Sequence, residues 1–383
     1  MKRITTALVG AGAALLASVA SAQDTVKIGV INAYSGQFAD PGAQLDAGIN
    51  LYIQMHGDTV AGKKIEIIRK DVGGIAPDVA KRLAEELVVR DGVDILAGNL
   101  LTPNALAVGD VSAEAEKFMV VMNATTPVII TKSPYMVRTS ATASQINTNF
   151  GNWVADQGVT KVYTMVTDYG PGIGSATAFE EAFKAKGGEI VGQDRTPVVN
   201  PDFSPYVQRV AEAAPEALFV WVPGGTQPPA LGKALAERGI TPANTKIYGQ
   251  GELTDDAALE AMGDISLGII TAYHYNVHRD TPINNEFVEA FRAANDGRDP
   301  DVYSIGAYDG MAAIYKALEA SGGDASGDAL INAAKGLTWD SPRGQMGIDA
   351  ETGDVVQTIW IREVQMLDGK PANVIIDQID NAK

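Results

Sequence analysis

The 383 residues carry 30 basic and 47 acidic side chains, three histidines and no cysteine, for a formal charge of −17 at neutral pH. That acidic balance excludes nucleic acid and anionic membrane surfaces as partners. The missing cysteines exclude disulfide staples, thiol catalysis, thiolate metal sites and N-terminal lipidation together.

Lys2 and Arg3 open the chain, Ile4 to Ala17 are almost wholly apolar, and Ala20-Ser21-Ala22 supplies the small residues a signal peptidase reads. Residues 1–22 therefore read as a signal peptide cleaved before Gln23. A buried first helix is the alternative, but Gly10 and Gly12 within the run and the polar QDT after it favour export. Its loss takes the charge from −17 to −19 and leaves 361 of the 383 residues, enough for two cores of about 100–200 residues each. No stretch is long and apolar enough to span a bilayer, so the expectation is a freely diffusing monomer in the periplasm.

Apolar runs at 26–31, 64–68, 94–98 and 118–122 alternate with segments of helical period, one of them starting at Pro77 with Val79, Leu83, Leu87 and Val88 as its stripe. The runs are nearly continuous in apolar character, as strands of a parallel sheet covered on both faces are. The rhythm resumes with strands at 161–166, 189–192, 217–222, 246–249 and 268–273 and helices near 144–157, 174–186, 204–213, 227–238 and 254–262. Helices at 283–295, 304–319 and 326–334 and strands at 357–367 and 372–376 follow. The fold class is α/β: two doubly wound, Rossmann-like lobes joined by a multi-strand hinge. The expected lobes are residues 24–141 with 276–357, and 142–275 with 358–383, with crossings near 141, 275 and 357.

In such sheets ligands sit beyond the carboxyl ends of the strands, and that is where polar residues gather here. In GNLLTPNALAV, Thr102 reads as an N-cap with Pro103 at N1, so that free amides and the positive helix end suit a small anion; alternatively Thr102 only caps its helix. In NATTP, Asn123 and Thr125 offer donors and acceptors without a buried charge, or the segment is only a turn before Pro127. Tyr34, Tyr169, Trp221 and Tyr303 supply walls, or pack as core. GPGIG (170–174) lacks dinucleotide and P-loop spacing and reads as a loop that exposes amides and turns Tyr169 to the cleft.

Catalytic constellations are weak. His56 ends a helix at the surface, and His274 and His278 lie in HYNVHRDTP, which reads as chain leaving the sheet rather than a helix presenting a metal pair. Glu85–Glu86, Glu180–Glu181 and Asp255–Asp256 read as solvated helix charges. No GxSxG, HExxH or Walker loop is present, and no cofactor or metal is called for.

YSG at 34–36, LLTPNALAV, NATTP, TDYG, PGGTQ, YGQGE and YSIGAYDG, in that order, resemble the branched-chain amino acid binding proteins of ABC importers, within the wider type I periplasmic solute-binding family. The resemblance covers the whole mature chain. It implies a ligand carboxylate held by Thr102, Asn123, Ala124 and Thr125, aromatic walls at Tyr34, Phe38, Tyr169 and Tyr303, and further contacts from Gly225, Thr226 and Glu252. It also implies delivery of the ligand to ABC permease membrane subunits. The sequence departs from the family's amino acid specialists in two places. Pro41 stands where they carry an aromatic residue, and Gly251 falls at their ammonium-binding acid, with Glu252 one residue away. A carboxylate without an amine, an aromatic or oxo acid, is therefore favoured, with a branched-chain amino acid, amide or urea as the alternative. An exported hydrolase is the rival of another class, against which the absent nucleophile motif speaks.

Overall fold

The computed structural model describes residues 25–382; the expected signal peptide lies outside them. The first sheet has the order Thr59–Val60, Lys63–Asp71, Thr25–Asn32, Ile95–Gly98, Phe118–Val121, Met136–Arg138, parallel except at its first pair. The second runs Thr338–Ser341, Gly344–Ile348, Val355–Leu367, Ile270–Tyr273, Lys246–Gln250, Ala217–Trp221, Lys161–Thr167, Glu189–Thr196, with Lys370–Ala382 paired to Val355–Leu367. Strand residues 95–98, 118–121 and 217–221 are buried throughout, which is why each reads as an unbroken apolar run.

Both sheets reverse their winding at one place. Thr25–Asn32 lies between Lys63–Asp71 and Ile95–Gly98, and Lys161–Thr167 lies in the same way between Glu189–Thr196 and Ala217–Trp221. At such a reversal the connections leave in opposite directions and a crevice opens at the carboxyl ends. The two crevices face each other, so the fold itself places a cavity between the lobes.

Several boundaries depart from the sequence reading. GPGIG is not a loop: it forms the first turn of the helix Gly170–Ala185, because Pro171 fits a first turn where its missing N–H costs nothing. Leu87 and Val88 belong to a wider-wound turn, Leu87–Asp91, that ends the Pro77 helix. The short strands Thr59–Val60 and Met136–Arg138 and the hairpin Thr338–Ile348 were not foreseen. HYNVHRDT, residues 274–281, does leave the sheet as non-helical chain, and Pro282 opens the next helix.

Buried ions tie segments distant in sequence together. The Arg343 guanidinium pairs with Asp309 at 2.7 Å and donates to the carbonyls of Thr139 and Ser140, while Trp360 Nε1 donates to the Arg343 carbonyl at 3.1 Å. Asp309 also accepts from Trp339 Nε1 and Ser341 Oγ, at 3.0 and 2.9 Å. Burial pushes the Asp309 carboxyl up and the Arg343 guanidinium down, and each is partly restored by the other's charge.

Candidate functional site

Between the facing strand ends lies a cavity of about 370 Å³, part of it open to solvent. From one lobe the lining comprises Phe38 and Pro41, Leu100 to Thr102, Asn123 to Thr125, and Tyr303; from the other, Tyr169, Pro171, Trp221, Pro223, Gly224 and Glu252. Thr102, Asn123, Ala124, Thr125, Tyr169, Glu252, Tyr303 and Phe38 are thus brought together as the sequence suggested. No lysine or arginine is among the lining residues.

Three expected site residues stand elsewhere. Tyr34 turns away: its hydroxyl pairs with Asp46 at 3.3 Å and its N–H donates to Asp71 at 2.9 Å, so the phenol serves the first helix rather than the cavity. Thr226 is exposed just before the helix Gln227–Glu237. Gly225 sits on the rim with φ of +93°, a conformation that glycine adopts freely, and a Cβ there would stand 2.7 Å from the carbonyl oxygen of Gln37 across the cleft.

Thr102 is the first residue of its helix rather than the cap, which is Leu101; its hydroxyl meets Thr126 Oγ1 at 2.9 Å instead of closing the helix end. Its N–H does point across the cleft, where Tyr169 Oη accepts it at 3.1 Å. Burial pushes the Tyr169 phenol up to about 12, so it stays a neutral partner. Asn123 donates from Nδ2 to the Leu100 carbonyl at 2.9 Å, while its Oδ1 is buried with no partner.

Beneath that turn lies a residue the sequence reading missed. Arg138 is fully buried, pairs with Asp354 at 3.2 Å, and donates to the carbonyls of Ala124 and Thr126, each at 3.1 Å. A trans peptide carries its N–H opposite its C=O. Holding the Ala124 carbonyl toward Arg138 therefore turns the Thr125 N–H away from the guanidinium. An arginine closing the apolar strand MVR reads as a surface charge, and only its burial reveals it.

Other lobe-to-lobe contacts seal the rim. Gln37 Nε2 donates to the Val198 carbonyl at 3.4 Å, and a Cβ on Gly224 would stand 2.0 Å from Tyr303 Oη. The cleft is closed in this structure.

Of the paired acids read as solvated, Glu180 is buried and accepts from Thr164 Oγ1 at 2.7 Å, and Asp255 caps Ala258 N–H at 2.8 Å. Among the described residues no group of His, Asp and Glu is arranged to hold a metal ion, and no helix is long and apolar enough to cross a membrane.

Glu252 is the charged group of the cavity. Its carboxylate accepts from Tyr273 Oη at 2.8 Å and from Gln250 Nε2, yet burial outweighs these bonds and pushes it from 4.5 up to about 7. The folded state thus holds this proton more tightly than the unfolded chain, so the cost is absent below 4.5 and complete above about 7. Glu252→Gln should gain stability over wild type between pH 5 and pH 8, by up to ~3 kcal/mol. Chemical denaturation of both proteins at the two pH values checks this; a constant difference would refute it.

Two α/β lobes that close switch-point crevices over an interior cavity define a type I periplasmic binding fold. The chain belongs to the periplasmic binding protein family, which matches residues 25–371. It is 41% identical over 369 residues to a Leu/Ile/Val-binding protein homolog 6 of Brucella melitensis, covering 96% of this chain and 94% of that one. Among solved structures it is similar to a solute binding protein of an ABC transporter from Rhodopseudomonas palustris BisB5 in complex with 3,4-dihydroxybenzoic acid. That likeness has 45% identity and a TM-score of 0.91 over 94% of this chain and 98% of the other. A second, from R. palustris HaA2 in complex with p-hydroxybenzoic acid, has 38% identity and a TM-score of 0.90 over the same shares.

Proposed function

We propose that this protein is the periplasmic solute-binding component of an ABC importer, closing around a small aromatic carboxylate and delivering it to permease subunits in the membrane. The observation that carries the reading is the lining of the cavity between the lobes, walled by Phe38, Tyr169, Trp221, Tyr303 and prolines and furnished with Thr102, Asn123 and Thr125 but no cationic side chain. Aromatic and proline walls favour a flat apolar body, and uncharged donors can hold a carboxylate at ~1.5–3 kcal/mol per bond. The benzoic acids bound by the two R. palustris proteins support the same class. Fold and family are those of non-catalytic binding proteins, which sets the hydrolase alternative aside.

The crossings near 141, 275 and 357 form the hinge of this reading, dividing lobes at 24–141 with 276–357 and 142–275 with 358–383. Rotation about them opens the rim contacts of Gln37, Gly224 and Gly225.

A second reading, a branched-chain amino acid, is favoured by the name of the Brucella relative and by Glu252 in the cavity. Burial, however, pushes the Glu252 carboxyl up to about 7, so holding it ionised beside an ammonium carries a cost. Isothermal titration with hydroxybenzoates, oxo acids and leucine separates the two. Micromolar or tighter binding of a hydroxybenzoate with none of leucine is expected, and no carboxylate binding tighter than millimolar would reject the reading. Thr102→Val should weaken the acid roughly 10- to 100-fold, the loss of one bond to a charged group, as the same titration measures.

A further inference from the structure

The aromatic-carboxylate reading can be taken further at the second lobe's side of the cavity. The parallel strands Ala217–Trp221 and Lys246–Gln250 keep Gly249 beside Val220, so Trp221 and Gln250 end side by side and Glu252 follows within one turn. Trp221 and Glu252 both line the cavity.

Each has hydrogen-bonding capacity left over. The Trp221 indole Nε1 is buried without a partner. Glu252 Oε1 accepts from Tyr273 Oη at 2.8 Å, a single Gln250 Nε2 is shared by Oε1 and Oε2 at 3.2 and 3.0 Å, and the carboxylate also accepts from its own backbone N–H. A carboxylate offers about four acceptor sites, and Tyr273, the shared Gln250 nitrogen and the Glu252 N–H occupy three, which leaves one. The orientation is held from behind: Gln250 Oε1 accepts from Asn147 Nδ2 at 2.7 Å and Ser175 Oγ at 3.1 Å, which turns its amide nitrogen onto Glu252.

A donor lacking an acceptor and an acceptor lacking a donor are complementary to one neutral group, a hydroxyl, which accepts through its oxygen and donates through its proton. We propose that Trp221 and Glu252 together recognise a ring hydroxyl of the bound aromatic acid, and so select hydroxybenzoates over benzoate. An ammonium has no lone pair for the indole N–H, and a ring C–H satisfies neither residue. Buried polar groups left unpaired are what makes a site reject an analogue lacking one hydroxyl.

The inference rests on the aromatic-acid reading, and the test separates their failures. Benzoate and 4-hydroxybenzoate are titrated at pH 8 into wild type, Glu252→Gln and Trp221→Phe, with folding of each variant followed by circular dichroism. Wild type is expected to prefer 4-hydroxybenzoate by about 100-fold or more, and either variant to narrow that ratio to within about 10-fold. Equal affinities in wild type, or variants that weaken both acids with the ratio kept, would overturn the role of these residues while leaving the aromatic-acid reading intact. If wild type binds neither acid, both fall.

Discussion

Gly225→Val yields a folded protein that closes poorly and binds its acid at least about 100-fold more weakly. The glycine holds φ of +93°, and the added Cβ would lie 2.7 Å from the Gln37 carbonyl oxygen on the opposing rim. Because that oxygen is backbone, no rotamer change relieves the clash; opening the cleft does. Apparent affinity scales with the fraction of molecules able to close, so ~3 kcal/mol against closure reaches the 100-fold loss. The strain of a branched side chain at positive φ costs the open protein only ~1–3 kcal/mol. Titration calorimetry reads the affinity, and small-angle scattering should show no contraction at ligand concentrations that compact wild type. Binding within about threefold of wild type would mean that the rim contact does not belong to the bound state.

Arg343→Met carries the larger cost in stability. It removes the guanidinium from the Thr139 and Ser140 carbonyls and leaves Asp309 as an uncompensated buried carboxylate, a loss of ~3–5 kcal/mol. Thermal unfolding should fall by on the order of 10 °C. Joining it with Asp309→Leu should recover much of that, since replacing both partners removes the stranded charge. A double variant as unstable as the single would show that Arg343 acts through its bonds to the Thr139 and Ser140 carbonyls rather than through its pair.

The βα rhythm was legible because parallel strands covered on both faces leave continuous apolar runs, as at 118–122 and 217–222. Met136–Arg138, only three residues long, and the glycine-rich hairpin Thr338–Ile348 carry no such signature. The lining residues were legible where the chain announces a strand end with polar or aromatic side chains, as at Asn123–Thr125 and Tyr169. Tyr34 misled because the same local pattern also fits a phenol that pairs with Asp46 in its own lobe. Thr102 was found through the reading of a cap, although its hydroxyl goes to Thr126; the position matters, and the local bond was different. Gly225 and Arg138 owe their importance to contacts between segments distant in sequence, which no local period encodes.

The central claim is that uncharged groups of Thr102 and the Asn123–Thr125 turn, with Arg138 kept beneath that turn, hold the ligand's carboxylate. A crystal structure with 4-hydroxybenzoate tests it most directly. The carboxylate oxygens are expected within hydrogen-bonding distance of Thr102 and Thr125, with no lysine or arginine side chain touching them. A carboxylate clasped by a cationic side chain, or seated against Trp221 with the hydroxyl toward Thr102, would contradict it.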